Sequence, residues 1–483
     1  MNNREEAARC LLCTDAPCTK ACVKSDPARA IRAIRFDNEA LAGQWICPGE
    51  DLEAAEKACI HYDRSIRIRE IAQKLPAHVR HGLPSLEIDF CGIRCENPFF
   101  LASSAVCTNY EMVSRAFEAG WAGVFYKTIC MKEISEVSPR FDCMDYDGTR
   151  GFFAFRNMEQ LSENPVEEDF AILNRLKKEY PSKVVIASIM GQTEEEWITL
   201  AKMAEEAGAD AVELNFSCPQ MRLTGMGSDV GQNPELVLFY TAFVKRAVSI
   251  PVIPKMTPNI TSISQPSLAS YFAGADAISA INTIKSITMN SRSDISGQQT
   301  VSGLSGRAVK PIALRFILEM AQNSIINGSR EYGKPVEFSG IGGIETWKDA
   351  LEFIQIGCRN VQVCTAVMQY GYRIIDDLIL GLQNYMAERG VTNLSDLVGE
   401  RLGDFVSPSD LDRDTKVYPS LDREKCIGCG RCYTSCQDGG HQAITLDEDR
   451  KPRINGSKCV GCLLCGLVCP TEAISGSKRV RKK

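Results

Sequence analysis

The chain has 483 residues, 24% of them charged and 44% hydrophobic, with a formal net charge of −6. These proportions describe a soluble globular protein long enough for two or three domains, and the acidic balance argues against nucleic acid as a partner. No apolar run approaches the ~18 residues of a membrane span, and the opening Met-Asn-Asn-Arg is no signal peptide, so a cytoplasmic protein is expected.

The chain contains 22 cysteines, an unusual number. A cytosol keeps thiols reduced, which excludes a disulfide scaffold. Six cysteines fall in the first 59 residues, eight between 426 and 469, and eight are scattered through the centre. That distribution predicts two metal-binding modules around a third domain.

In chain order, the first module reads Cys10-x2-Cys13-x4-Cys18-x3-Cys22, followed by Cys47-Pro48 and Cys59, a spacing poorly suited to zinc. Residues 74–85, with Pro76 and Pro84, read as a linker. Leu86–Arg94, turning at Cys91-Gly92, predicts a hairpin that closes the bottom of a barrel. From there, short β-rich runs alternate with amphipathic helical stretches such as Tyr110–Ala119, Glu194–Ala207 and Pro311–Gln322. The predicted strands are Phe99–Ala102, Val124–Lys127, Val184–Met190, Ala211–Ser217, Val252–Lys255, Ala277–Asn282, Val336–Ile341 and Val361–Cys364. Such alternation predicts an α/β fold, a (β/α)8 TIM barrel.

In that fold, the C-terminal ends of the strands carry the chemistry. Here they are polar: Lys127-Thr128, Asn215-Phe216-Ser217-Cys218-Pro219, Lys255-Met256-Thr257 and Asn282-Thr283. Gly342-Gly343 after the seventh strand and Thr365 after the eighth suit a phosphate cradle. Two inward lysines favour an anionic cofactor such as a reduced flavin. No G-x-G-x-x-G opens a helix after a strand, and Gly225-Met-Gly-Ser-Asp-Val-Gly231 has the wrong spacing, so no site for a nicotinamide or FAD is expected. All four histidines (His61, His78, His81 and His441) fall outside the barrel, which leaves Cys218 as the best general acid. An unperturbed thiol, with a pKa of about 8.5, is largely protonated at neutral pH.

The last module reads Cys426-x2-Cys429-x2-Cys432-x3-Cys436, then Cys459-x2-Cys462-x2-Cys465-x3-Cys469-Pro470. This is the spacing of a two-cluster ferredoxin, in which the fourth cysteine of each run ligates the other cluster. Cys426, Cys429, Cys432 and Cys469 would then hold one [4Fe–4S], and Cys459, Cys462, Cys465 and Cys436 the second. The basic end, 478–483, reads as a solvated tail.

Together, Glu213-Leu-Asn-Phe-Ser-Cys-Pro219, Lys255-Met-Thr-Pro-Asn259, Ala280-Ile-Asn-Thr283 and Ser339-Gly-Ile-Gly-Gly343 resemble the FMN barrel of the dihydroorotate dehydrogenase superfamily. The ferredoxin cysteines narrow the resemblance, over about four-fifths of the chain, to the dihydropyrimidine dehydrogenases. It implies reduction of the C5–C6 double bond of uracil or thymine, with electrons reaching FMN through [4Fe–4S] clusters and Cys218 protonating C5. By the same resemblance, Asn157, Glu159, Asn215, Asn282 and Thr283 hold the pyrimidine. Ser103, Lys127, Lys255, Gly306, Gly343 and Thr365 contact FMN, and the loop Pro219–Gly231 is a mobile lid. Arg156, beside Asn157, leaves open a clamp for the carboxylate of orotate.

The N-terminal cysteines resemble the helical iron–sulfur domain of the eukaryotic dihydropyrimidine dehydrogenases and of the glutamate synthase small subunit. That likeness implies a [4Fe–4S] on Cys10, Cys13, Cys18 and Cys59. A second would use Cys22 and Cys47, with Gln73 at the family's glutamine ligand. The family's next cysteine falls on Glu53, so the module holds one cluster or two. The expected organisation is an iron–sulfur domain (1–80), an FMN barrel (86–400) and a 2×[4Fe–4S] ferredoxin domain (418–483). The expected partners are a separate FAD/NAD(P)H reductase subunit or a ferredoxin, and a second copy in a homodimer. Alternative readings are a dihydroorotate dehydrogenase or other FMN ene reductase, and an electron-transfer subunit without substrate chemistry of its own.

Overall fold

A computed structural model describes residues 3–76, 82–145, 152–219, 221, 225–287, 300–328 and 335–482. His78, His81 and part of the expected linker lie outside the described residues. The chain forms two compact units, 1–402 and 403–483. Among the described residues no helix is long and apolar enough to cross a membrane.

The first unit is built on a closed barrel of eight parallel strands in sequential order. They are β1 (Phe99–Leu101), β2 (Gly123–Phe125), β3 (Val184–Ile189), β4 (Ala211–Asn215), β5 (Val252–Lys255), β6 (Ala277–Ala280), β7 (Glu337–Ile341) and β8 (Cys358–Val363). Strands buried on both faces need continuous apolar runs, and nearly every residue of these eight is buried. The helix Tyr110–Ala119 matches its sequence expectation, capped by Asn109, whose side chain accepts from the Met112 amide, and ended by the left-handed Gly120. The hairpin pairs Ile88–Phe90 with Ile93–Cys95, and its turn residues Cys91 and Gly92 both have positive φ, as a tight two-residue hairpin loop requires.

One layer has no counterpart in the sequence reading. Phe141–Asp145, Phe152–Asn157, Ile284–Ser286 and Ser302–Ser305 form a four-stranded antiparallel sheet. Its strands come from the segments after β2 and after β6, and pairing such as Asn157 with Gly303 brings together residues distant in sequence.

The N-terminal helices have their own small core, which includes Ile31, Ile34, Leu52, Ile66 and Ile71, and they pack against the barrel. In the helix Pro27–Arg35, Asp26 caps the Arg29 amide and Pro27 opens the first turn. Ala30, Ile31, Ala33 and Ile34 are buried, while Arg29, Arg32 and Arg35 form a second stripe at i, i+3 spacing. That stripe meets the barrel helix Ile374–Arg389. Arg32 lies 2.7 Å from the Asp377 carboxylate and 3.2 Å from that of Asp376. Asn38 donates to the Asp377 carbonyl (2.8 Å), and Trp347 Nε1 to the Asp37 carbonyl (3.1 Å). Burial pushes the Asp377 carboxyl up to about 6 against the pull of Arg32. Arg32→Met strands that carboxylate, so urea denaturation is expected to show a loss of about 3 kcal/mol.

The second unit pairs Pro419–Leu421 with Ile474–Gly476 and Ile444–Leu446 with Pro452–Ile454. Cys432, Ile444, Cys465 and Ile474 form its core. Its basic end is more than a tail: Val480–Arg481 pairs with Thr415–Lys416, and Arg479 donates to Thr415 Oγ1 (3.1 Å).

Candidate functional site

An open-mouthed cavity of about 1050 Å³ lies at the C-terminal ends of the barrel strands. Alternation along β4 points Glu213 and Asn215 inward, one layer apart. Glu213 is fully buried and accepts from Ser188 (3.0 Å) and Ser279 (2.8 Å), with Lys255 Nζ at 3.4 Å. Lys255, buried itself, is thereby anchored from below while it lines the cavity. Across the cavity, Lys127 donates to Glu159, whose other oxygen accepts from Arg140 (2.9 Å). Burial alone would raise the Glu159 carboxyl, but Lys127 and Arg140 hold it below its usual range.

A chain of hydroxyls and amides fixes the asparagines. Asn215 Nδ2 donates to Thr128 Oγ1 (2.9 Å), which also contacts Ser103 (3.0 Å) and Ser188 (2.9 Å). Ser217 Oγ donates to Asn215 Oδ1 (2.8 Å), and Asn282 Nδ2 donates to Ser217 Oγ (2.9 Å). The Thr283 amide donates to Asn282 Oδ1 (2.7 Å). From the antiparallel sheet, Asn157 reaches in and donates to the Gly303 carbonyl (3.4 Å). Gly303 has no room for a side chain, because a Cβ there would sit 2.2 Å from Thr283 Oγ1.

Cys218 is buried in the cavity wall. The Ser228 amide donates to its carbonyl (2.9 Å), and Gly227 packs so tightly that a Cβ would lie 2.4 Å from that oxygen. Residues 220 and 222–224 of the expected lid lie outside the described residues.

The cavity brings together every residue to which the resemblance gives a part in proton donation, ring binding or flavin contact: Cys218; Asn157, Glu159, Asn215, Asn282 and Thr283; and Ser103, Lys127, Lys255, Gly306, Gly343 and Thr365. Arg156 is absent from that wall. It points to the other side of its strand, where it donates to Ser302 Oγ (2.7 Å) and faces Asp142 at 3.4 Å. Thr128, noted in the sequence as a polar strand end, also lines the cavity, and so do Phe141, Phe155 and Glu345, which the sequence did not single out. The alternation in Phe153-Ala-Phe-Arg-Asn157 was the available strand signal for Phe155. Arg307 pairs with Glu345 (2.7 Å), whose carboxyl burial pushes up.

These residues fit a flavin mononucleotide. Gly306 and Gly343 line one end with positive φ, and a Cβ on Gly343 would lie 2.9 Å from the Lys310 amide nitrogen. The backbone turns at Gly343, Gly306 and Lys310 thus meet closely at that end, with the Ser305 and Thr365 hydroxyls alongside in the lining. Lys127 and Lys255 line the same cavity.

Two smaller cavities are lined by cysteines. One, of about 350 Å³, is lined by Cys436, Cys459, Cys462 and Cys465 with Ile444 and Ile454. The other, of about 390 Å³, is lined by Cys10, Cys13, Cys18 and Cys59 with Ile31 and Ile66. Backbone amides donate to Cys436 Sγ (Ala443, 3.3 Å), Cys469 Sγ (Ala473, 3.3 Å) and Cys59 Sγ (Ile66, 3.4 Å), as suits thiolates. Cys426 and Cys429 lie near enough to Cys432 to interact with it electrostatically. Among the described residues, no three Cys, His, Asp or Glu side chains converge as a single-ion site requires. A cubane is different, since it keeps its thiolates apart around its own volume, and four cysteines lining one apolar pocket are the donor set it takes. Cys22 and Cys47 do not line the N-terminal cavity. Beside them the Glu50 carboxylate accepts the amides of Val23 (2.7 Å), Lys24 (3.0 Å) and Ser25 (2.7 Å). Gln73 is exposed.

Comparison with known proteins agrees with this geometry. Residues 85–386 match the model of the family described as dihydroorotate dehydrogenase, and residues 420–475 that of a 4Fe-4S dicluster domain. The chain is 51% identical over 396 residues to the NAD-dependent dihydropyrimidine dehydrogenase subunit PreA of Escherichia coli (strain K12), covering 80% of this chain and 94% of that relative. It is 35% identical over 343 residues to the chloroplastic dihydropyrimidine dehydrogenase (NADP(+)) of Arabidopsis thaliana, covering 68% of this chain and 79% of that one. The dihydroorotate dehydrogenase B (NAD(+)) catalytic subunit of Pyrococcus abyssi is 37% identical over 319 residues, which cover 65% of this chain and 98% of that subunit. Both matched ranges begin after residue 84, so the N-terminal cysteine module lies outside them. The barrel model alone spans more than half of the sequence, and the chain belongs to the dihydroorotate dehydrogenase family of oxidoreductases, with a 4Fe-4S dicluster domain following its barrel.

Proposed function

We propose that this protein reduces the C5–C6 double bond of uracil or thymine, using FMN in the barrel cavity and electrons supplied through [4Fe–4S] clusters. The observation that carries this reading is the meeting of Cys218 with Asn157, Asn215, Asn282 and Thr283 in one cavity that also presents two lysines. A pyrimidine-dione is flat and neutral, with alternating donors and acceptors, and asparagine amides offer both. Bound reduced flavin supplies a hydride for C6. The chain's own task is then to hold the ring edge-on with these amides and to deliver a proton to C5 from the Cys218 thiol. Lys127 and Lys255 supply positive charge for the anionic cofactor, and the cradle of Gly306, Gly343 and Thr365 receives its phosphate. Glu159 is engaged by Lys127 and Arg140, so its part is to orient Lys127 toward the cofactor.

Arg156 favours a neutral ring over orotate, since its guanidinium is directed at Ser302 and Asp142 and away from the cavity lining. The relation to a protein named as a subunit supports a separate NAD(P)H-oxidising partner. We further read the chain as a cytoplasmic homodimer arranged as an N-terminal iron–sulfur domain (1–80), a barrel (86–400) and a ferredoxin domain (418–483).

The test is anaerobic. The reduced protein is mixed separately with uracil, thymine and orotate while flavin absorbance is followed. Fast reoxidation by uracil or thymine alone supports the reading, and reoxidation by orotate alone replaces it with the dihydroorotate branch. An electron-transfer subunit would respond to none of them.

For the clusters, we read one on Cys10, Cys13, Cys18 and Cys59 and two in the C-terminal unit. Glu50 takes up the amides beside Cys22, and this favours a single N-terminal cluster. Iron analysis is expected to give about twelve irons per chain, three cubanes. Cys10→Ser should remove about four of these irons, and Cys22→Ser none.

A further inference from the structure

The helix Thr365–Tyr370 follows β8 directly, and its Thr365, Ala366 and Met368 line the flavin cavity. Its last residue, Tyr370, is gripped twice. Arg35, from the N-terminal helix Pro27–Arg35, lies over the Tyr370 ring at 5.5 Å, donates to its hydroxyl (3.4 Å), and also donates to the Ala8 carbonyl. Arg373 Nε donates to the Tyr370 carbonyl (3.3 Å). The other two nitrogens of the Arg373 guanidinium donate to the carbonyls of Leu12 and Cys13, the latter at 3.4 Å.

Leu12 and Cys13 belong to the loop that supplies three of the four cysteines of the N-terminal cavity. Leu12 is held at a φ of 53°, a left-handed conformation that a leucine rarely adopts, and it is Leu12 whose carbonyl Arg373 binds. Six helical residues span about 9 Å. One short helix and one arginine therefore connect the thiolate loop with the flavin cavity.

We propose that Arg35 and Arg373, by holding Tyr370 against the N-terminal thiolate loop, couple that metal site to the flavin site, so that filling either one strengthens binding at the other. The proposal rests on the reading of a cubane at Cys10, Cys13, Cys18 and Cys59 and of FMN in the barrel. A metal orders the loop that carries its ligands. With the loop ordered, Arg373 finds both carbonyls in place and fixes the end of the helix whose start lines the flavin cavity. With the loop released, Arg373 loses those acceptors and the helix loses its brace. Linkage makes the effect reciprocal. Arg35 and Arg373 are positioning residues here, acting on the cofactor through Tyr370 and its helix.

The experiment uses the full chain, stripped of flavin under anaerobic conditions, with FMN binding followed by quenching of its fluorescence. Cys13→Ser, with loss of its cluster checked by iron analysis, is expected to weaken FMN binding about 5- to 150-fold, the usual span of site-to-site coupling. Arg373→Met is expected to weaken it similarly, and Arg373→Lys to restore part of the loss. The double variant should bind no more weakly than the worse single one, because both act through one connection. In the reverse direction, FMN is expected to shift the electron paramagnetic resonance signal of the N-terminal cluster in the unaltered protein and not in Arg373→Met. Unchanged FMN affinity in Cys13→Ser and Arg373→Met, or additive losses in the double variant, overturns the coupling. An unaltered protein that takes up no FMN overturns the flavin reading, and the coupling with it.

Discussion

Cys218→Ala is expected to slow substrate-dependent reoxidation of the reduced flavin by about 10²- to 10⁴-fold, the usual contribution of a positioned general acid. FMN affinity and uracil binding should change little, because the residues proposed to hold the ring, Asn157, Asn215, Asn282 and Thr283, line the cavity independently of the thiol. Stopped-flow absorbance at saturating uracil separates the two effects. A drop in the limiting rate with unchanged saturation marks a group needed only in the transition state. An unaltered limiting rate would remove Cys218 from the mechanism and assign the C5 proton to another donor. The tight packing around this residue matters for the interpretation. Gly227 leaves no space beside the Cys218 carbonyl, so substitution by a residue no larger than cysteine is the interpretable choice.

The second large effect is expected at Lys255. Lys255→Met removes the positive charge 3.4 Å from Glu213, a carboxylate with no solvent exposure. Ser188 and Ser279 still donate to that carboxylate, but two neutral hydroxyls do not replace an ammonium. The loss of a buried partner predicts a destabilisation of about 3–5 kcal/mol, together with loss of FMN retention. Thermal unfolding and flavin content measure the two losses separately. The double variant Lys255→Met/Glu213→Gln should recover much of the stability and none of the flavin binding, since the buried charge is gone while the cavity still lacks its lysine.

That pair also illustrates what could be read before folding. Lys255, Asn215 and Asn282 stand at the ends of strands recognisable by their apolar runs, and the C-terminal rim of a parallel barrel must gather such ends into one place. Their convergence therefore followed from local patterns plus one topological rule. Glu213 was quoted only as part of a motif, because nothing local shows that a carboxylate inside a buried strand faces Lys255 and Ser279 of neighbouring strands. The same limit hid the antiparallel sheet that carries Asn157. Its pairing joins residues near 155 with residues near 304, and short runs between barrel strands give no sign of such a partner.

Arg156 shows the difference most simply. In the sequence it is the neighbour of Asn157 and a candidate for holding a carboxylate. In the sheet, side chains alternate between faces, so the residue that places Asn157 in the cavity necessarily turns Arg156 away, toward Ser302 and Asp142.

The amino-acid sequence by itself determined which groups are available to this protein: cysteines at cubane spacing, polar strand ends, and a thiol at a strand end of a barrel that holds no histidine. These follow from short-range spacing, which survives without a fold. Tertiary structure alone decided how those groups are shared out. Glu159 is drawn to Lys127 and Arg140, Glu50 takes the amides beside Cys22, and the arginine stripe of the first module is spent on the barrel through Asp377 and Tyr370. Ion pairs and close packing form between segments far apart in the chain, and which partner a buried charge finds is set by burial and distance once the chain has folded.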